Sequence, residues 1–242
     1  MTTAVRRPAR RQYVPPQHGA WAMLLLPYLA GVIVAGFRWP DVPLLGAWLA
    51  GYLLSYFVLQ AIKSRRPRRY RAQITLYAPV TAVLAAPVLV ACPRLLLFAP
   101  PYAALLAVNA WYAYRRRERA LVNDLASVLQ SCLMVFVVAV VAGRPLTDVV
   151  TPFAVVLLYL VGTVLYVKTM IRERGNIGYF RASVAYHAAA LVAGLAAGIL
   201  PGVVFAVLLV RAWALPGRAL TPRRVGITEI GASALVLLAA TV

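Results

Sequence analysis

Carboxylates are the scarcest chemistry in this chain. Only six Asp and Glu stand among 242 residues, beside two Cys and two His. The thiols of Cys92 and Cys132 suggest neither a disulfide framework nor a metal site. The imidazoles of His18 and His187 cannot complete an ordinary zinc site without further ligands, and the acids expected to face the interior are only Asp124, Glu173 and Glu229. No metal is therefore expected, and no cofactor can be named. The apolar segments show no alternation of apolar and polar residues, which excludes a β-barrel. There is no polar linker, no separate soluble domain and no internal repeat.

What is present in excess is apolar side chain. The chain is 63% hydrophobic with a mean hydropathy of +0.80, where a soluble domain averages roughly 45–50% apolar. Nine apolar segments run approximately over 19–37, 42–62, 74–92, 95–114, 121–142, 149–171, 179–200, 202–216 and 226–242. Most are long enough to span ~30 Å of hydrocarbon as a helix. The segment 202–216 is the weakest of them, being short and carrying Arg211 and Pro216. The expected fold is an all-α, polytopic transmembrane helix bundle of about nine spans.

The charge is lopsided as well. Of 25 Lys and Arg, all but Arg38, Arg94 and Arg144 fall in the N-terminal tail, in the alternate loops that share its side, or in adjoining helix ends. This positive-inside pattern predicts a cytoplasmic N-terminus and an external C-terminus. A net charge of +19 placed at membrane ends points to anionic membrane lipids as partners, and no nucleic acid is expected. Residues 1–16, rich in Arg and Pro, read as a disordered basic cytoplasmic tail, and 17–242 as a single transmembrane domain. The first apolar segment is too long for a signal-peptide core and precedes no small-residue cleavage site, so it reads as a retained helix.

Polar side chains inside spans must find partners or face a cavity. At helical spacing they form stripes: Tyr52, Tyr56, Gln60 and Lys63; Asn109, Tyr112 and Arg116; Asn123, Asp124, Ser127, Gln130 and Ser131; Tyr159, Thr163, Tyr166, Thr169 and Glu173; Tyr179, Ser183, Tyr186 and His187; Glu229 and Ser233. Each stripe concentrates at the cytoplasmic end, while the outer halves, such as MVFVVAVVAG, are almost bare of hydrogen-bonding groups. Stripes that fade halfway predict a polar, basic pocket open on the cytoplasmic side. Interhelical glue accounts equally for Ser127, Ser131, Thr163 and Ser233, and an aromatic belt for the interfacial tyrosines.

Candidate acid–base groups are His18, Asp124 and Glu229. Candidate ligand-binding residues are Gln17, Trp21, Gln60, Lys63, Asn109, Asn123, Ser127, Gln130, Tyr166, Lys168, Arg172, Glu173, Arg174 and His187. The run Lys168 to Arg174 reads either as an ordinary basic helix stop before Gly175 or as an anion clamp with Glu173 orienting the arginines. Asp124 reads either as an ion-paired residue at a helix start or as a functional acid.

Four segments carry a resemblance. Pro16-Gln17-His18-Gly19-Ala20-Trp21-Ala22-Met23, Asn123-Asp124-Leu125-Ala126-Ser127, Tyr166 to Arg174 and Gly226-Ile227-Thr228-Glu229-Ile230 resemble the YwiC-like family of bacterial integral membrane proteins. That resemblance implies a multi-pass protein of the bacterial inner membrane and supplies no reaction. A looser architectural likeness is to the UbiA-type prenyltransferases, which have nine helices and a pocket near the cytoplasmic face. It implies a UbiA-like arrangement here. The Asp-rich motifs that hold Mg²⁺ in those enzymes have no counterpart in Lys63–Arg69 or Lys168–Arg174, which contain no Asp. Three functions stay open: binding or modifying an anionic lipid or isoprenoid without Mg²⁺, transport of a small solute, and a non-catalytic membrane scaffold.

Overall fold

A computed structural model describes residues 13–15, 18–218 and 220–242, except for the side chains of His18, Gly19, Pro222 and Arg223. Gln17 and nearly all of the expected 1–16 tail lie outside the described residues. The fold is all-helical, with no strand among the described residues. Its α-helices are α1 (His18–Ala35), α2 (Asp41–Ser64), α3 (Arg71–Ala91), α4 (Ala99–Tyr114), α5 (Leu121–Cys132), α6 (Met134–Ala142), α7 (Val150–Ile171), α8 (Ile177–Ala197), α9 (Ile199–Ala214) and α10 (Pro222–Thr241). Short 3₁₀ turns, Pro67–Tyr70, Pro93–Phe98 and Leu146–Val149, lead into α3, α4 and α7. Two of them start on Pro, whose missing N–H costs nothing in a first turn.

Seven segments are long and apolar enough to cross a membrane: Asp41–Ser64, Pro67–Ala91, Pro93–Tyr114, Leu121–Ala142, Leu146–Ile171, Ile177–Ala197 and Arg224–Thr241. Ala20–Ala35 and α9 are shorter apolar helices. This is a multi-pass membrane protein. In hydrocarbon a helix is the economical way to satisfy every backbone N–H and C=O within one segment.

The expected spans and the observed helices differ at two places. The segment 121–142 is two helices that break at Leu133. The N–H groups of Phe136 and Val137 both reach Leu133 O, each at 3.1 Å, a tightened turn where α6 restarts. No Pro or Gly announces it in the sequence. The turn expected at Leu200–Gly202 lies at Gly198, and Pro201 and Gly202 belong to α9. Gly198 has φ +150, which L side chains rarely adopt, and Pro201 sits in the first turn of α9, where its missing N–H is tolerated. The expected 202–216 segment therefore begins earlier, at Ile199.

α7 is the hub. Half of the Leu146–Ile171 window is buried, against 6% for each of the windows containing α3 and α4. Val155, Val156, Tyr159 and Leu160 of α7 pack against Leu26 and Ala30 of α1, Val128 and Cys132 of α5, Ala190 of α8, Phe205 and Leu208 of α9 and Val236 of α10. α3 and α4 are peripheral and show large apolar side chains such as Val83, Val90 and Trp111 outward.

Side-chain contacts establish which loops share an end. Lys63 at the end of α2 pairs with Glu118 after α4, Lys168 near the end of α7 bonds Arg119 O, and Arg174 bonds Leu220 O before α10. These gather the Arg-rich turns at one end, the basic end. At the far end, Cys92 Sγ after α3 lies 3.7 Å from Val140 O of α6.

Pro27 shapes α1. A proline offers no N–H to the carbonyl four residues back, so Met23 O is left without its helical donor. Ser131 Oγ of α5 donates to it instead. Trp48 Nε1 of α2 donates to the adjacent Leu24 O at 3.2 Å. The turn of α1 that precedes Pro27 is thereby bonded to two neighbouring helices.

α8 and α9 fold back on each other closely. A Cβ on Gly194 would lie 2.5 Å from the Phe205 ring and 3.2 Å from Pro201 O, whereas one on Gly231 of α10 meets nothing within 4 Å. Gly194→Val should therefore destabilise the protein by about 1–3 kcal/mol through overpacking. Gly231→Ala should be neutral or stabilising by up to ~1 kcal/mol through helix propensity. Thermal unfolding of the purified protein in mild detergent checks the pair, and equal behaviour would remove the proposed α8–α9 contact.

Candidate functional site

A cavity of about 710 Å³ lies at the basic end, walled by α1, α2, α4, α5, the α4–α5 loop and α7. Its wall changes character with depth. The mouth carries Lys63, Glu118, Arg119, Asp124 and Arg172. The middle carries neutral hydrogen-bonding groups: Tyr56 and Gln60 of α2, Asn109 of α4, Asn123 and Ser127 of α5. The floor is Met23 and Leu24 of α1, Trp48 of α2 and Leu106 of α4, with Gln130 and Ser131 above. Met23 and Leu24, whose carbonyls Ser131 and Trp48 meet, therefore belong to the cavity wall.

An amide network fixes the middle. Asn109 Nδ2 donates to Asn123 Oδ1 at 2.9 Å and faces Ser127 Oγ at 3.1 Å. Asn123 Nδ2 donates to Glu118 O at 2.8 Å. The polar face of α5 is thus tied to α4 on one side and to the loop that precedes it on the other.

The charges at the mouth are mostly paired. Lys63 Nζ lies 2.7 Å from Glu118 Oε1. Lys168 Nζ lies 2.7 Å from Asp124 Oδ2 and donates to Arg119 O at 2.6 Å; its side chain is 7% exposed, that of Asp124 23%. Asp124 occupies the first turn of α5, where a carboxylate also meets the positive end of the helix dipole. The two lysines expected to hold an anion therefore each hold a carboxylate. The unpaired charges on this wall, among the described residues, are Arg119 and Arg172.

The other sequence candidates fall elsewhere. The side chains of His18 and Gln17 lie outside the described residues. Trp21 packs edge-on against Tyr52, ring centroids 5.9 Å apart. Glu173 accepts from Asn176 Nδ2 at 3.0 Å and has no arginine partner among the described residues. Arg174 donates to Met170 O and Leu220 O, closing the end of α7. His187 is buried; its Nδ1 donates to Ser183 O at 2.7 Å and its Nε2 packs against Gly162, where a Cβ would lie 3.0 Å away.

Glu229 and Tyr166 belong to a second buried cluster on the opposite face of α7. Arg211 of α9 pairs with Glu229 Oε1, and Thr163 Oγ1 donates to Glu229 Oε2 at 2.9 Å. Tyr159 OH lies 2.9 Å from Ser233 Oγ and 3.3 Å from the same carboxylate oxygen. The Arg211 guanidinium stacks 4.2 Å from the Tyr166 ring centroid. Asp124 and Glu229, candidate acids in one site by sequence, thus stand in two separate clusters divided by α7. Arg119, Glu118 and Arg211 were not singled out as functional; all three lie at or near loop-bordering helix ends, where an isolated charge resembles a topology signal.

With the geometry in place, the relatives can be compared. The YwiC-like protein family matches residues 14–139, which include α1 to most of α6 and the greater part of the cavity wall. The chain belongs to the YwiC-like family. It is similar to an "Uncharacterized protein" of Haemophilus influenzae, 32% identical over 230 residues covering 93% of this chain and 97% of that protein. It is also similar to the "Uncharacterized protein YwiC" of Bacillus subtilis, 33% identical over 222 residues covering 90% of this chain and 92% of that one. Both alignments run past the family match into the helices that carry Lys168, Arg172 and most of the second cluster. No solved structure matches the chain, so the UbiA-type likeness rests on the sequence reading alone.

The second cluster generates a stability prediction. Removing one member of a buried ion pair strands the other and costs about 3–5 kcal/mol, while replacing both restores much of the loss. Arg211→Met alone should lower stability by that amount, and Arg211→Met combined with Glu229→Gln should recover at least half of it. A double-mutant cycle by thermal unfolding in detergent checks this, and simple additivity would show that the pair contributes no coupling.

Proposed function

We propose that this protein holds an amphiphile in the cavity at its basic end, with the polar head at the charged mouth and the tail over the apolar floor. The observation that carries the reading is the graded wall: charged at the mouth, amide and hydroxyl at the middle, apolar below. A cavity of about 710 Å³ lies within the ~300–1,000 Å³ range of small-molecule sites. Residues 17–242 act as one transmembrane domain in the bacterial inner membrane. In this reading the basic end faces the cytoplasm, which the distribution of Lys and Arg supports under the positive-inside rule. Asp124, backed by Lys168, is the acid–base candidate on this wall should the bound molecule also be modified.

A second reading, passage of a small solute, draws on two features close in sequence to cavity-lining residues. Leu133 follows Gln130 and Ser131, Pro27 follows Met23 and Leu24, and interrupted helices line transport sites.

Native mass spectrometry of the full chain, purified in mild detergent, tests the first reading. Wild type should retain lipid or isoprenoid, and Ser55→Trp, which fills the cavity from α2, should lose most of it, whereas the lipid-facing Val192→Leu should not. Equal retention in all three would place the lipid on the outer surface and remove the proposal. Counterflow of a small solute in liposomes would favour the second. Cysteines placed at Arg68 and Arg116 should react with an impermeant label only from the cytoplasmic side, which tests the orientation separately.

A further inference from the structure

We infer that Arg119 and Arg172 are the head-group clamp of this cavity and that the head they take is a phosphate dianion, a phosphomonoester carried on an apolar tail. This rests on the amphiphile reading above and specifies its ligand.

The inference starts from which charges at the mouth are already committed. Lys63 is held by Glu118 at 2.7 Å and Lys168 by Asp124 at 2.7 Å. An anion reaching either lysine has to displace a carboxylate that repels it. Arg119 and Arg172 both line the cavity, both are exposed, and neither has a carboxylate partner among the described residues.

The committed groups have a second role, which is to fix the loop that carries Arg119. Lys168 Nζ donates to Arg119 O at 2.6 Å, Asn123 Nδ2 donates to Glu118 O at 2.8 Å, and the Lys63 pair anchors the Glu118 side chain. The backbone at 118–119 is bonded from α5 and α7 and the Glu118 side chain from α2, while the guanidinium of Arg119 has no partner among the described residues. Arg172 follows from the end of α7, its N–H bonded to Lys168 O at 2.9 Å. The Lys168 side chain thus holds the Arg119 backbone one helical turn before Arg172.

The chemistry of the head follows from number and type. Two unpaired guanidinium groups are balanced by two negative charges. A guanidinium fork bonds phosphate oxygens in pairs and stays charged at any physiological pH. A phosphomonoester supplies both charges and three acceptor oxygens, with a second pKa near ~6. A phosphodiester supplies one charge and two free oxygens. Below the mouth, Asn109, Ser127 and Gln60 suit a polar linker, and Met23, Leu24 and Leu106 an alkyl tail.

Calorimetric titration of the full chain in a neutral maltoside detergent tests this with dodecyl phosphate, dihexyl phosphate and inorganic phosphate as probes. Dodecyl phosphate should bind without added Mg²⁺ and in excess chelator. Arg119→Gln and Arg172→Gln should each weaken it about tenfold or more, the scale of one lost charge-assisted hydrogen bond. Arg181→Gln, an exposed cation of α8 that does not line the cavity, should stay within about twofold of wild type. Wild-type affinity should fall roughly three- to fourfold from pH 7.5 to pH 5.5 as the ester takes up its second proton. The diester should bind at least about tenfold more weakly than the monoester. If both arginine variants bind like wild type, or diester and monoester bind alike, the clamp is overturned, while loss of binding in Ser55→Trp would keep the amphiphile reading. Inorganic phosphate binding as tightly as dodecyl phosphate, with the arginine dependence intact, would keep the clamp and overturn the amphiphile. No binding by any of the probes overturns the inference.

Discussion

Hydrocarbon offers no hydrogen-bond partner, so the buried charges of Lys168 and Glu229 are answered from other helices, while several hydroxyls bond a carbonyl of their own helix. α7 is where those answers meet. On one face it supplies Lys168 to Asp124 of α5 and to the loop after α4. On the other it supplies Tyr159 and Thr163 to Glu229 of α10, which in turn holds Arg211 of α9. Around these fixed points the apolar groups of α7 bury against five neighbouring helices. Lipid tails are as apolar as Leu, so packing alone discriminates poorly among helix arrangements. The ion pairs discriminate well, because a shifted register would strand a charge.

The same constraint explains the floor of the cavity. Pro27 deprives Met23 O of its helical donor, and an unsatisfied carbonyl in this setting costs several kcal/mol. Ser131 meets that need from α5, and Trp48 adds a bond to Leu24 O from α2. The three helices are held together at this turn, and Met23, Leu24, Trp48 and Ser131 all line the cavity. A serine that sequence reasoning assigns equally to interhelical glue or to a pocket serves both ends, as it bonds the α1 backbone and lines the hollow.

Much of the architecture was legible because hydrocarbon imposes simple lengths. The all-helical fold and the approximate position of most helices follow from apolar runs and Arg-rich turns. The break at Leu133 was not legible, because no Pro or Gly marks it. The turn at Gly198 was misplaced to 200–202 because Pro201 reads as a breaker, although a first-turn proline starts a helix as readily as it ends one. The polar stripes were legible residue by residue, but their grouping was not. Helical periodicity gives the face on which Tyr159, Thr163 and Lys168 stand, and it does not say which neighbour each face meets. Glu229 was therefore placed with Asp124, when α7 lies between them. Arg211 could have been matched to Glu229 from sequence, as a cation and an anion each isolated in an apolar helix.

Lysine and arginine divide their labour here for a physical reason. Lys63 and Lys168 are the only lysines in the chain, against a large excess of arginine. Lysine carries a compact ammonium that can be enclosed between one carboxylate and one carbonyl, and Lys168 is enclosed in this way at 7% side-chain exposure. Arginine presents five donors in a plane, more than a single carboxylate satisfies. Arg211 illustrates the consequence: paired with Glu229 and stacked on Tyr166, its Nε and Nη2 still have no protein acceptor. An arginine is therefore costly to bury and effective at a wet mouth, where its unused donors are open to water or to a multidentate anion. Lysines that fix the backbone and arginines that face the opening are what these properties favour, and the wall of the cavity at Lys168, Arg119 and Arg172 has that arrangement.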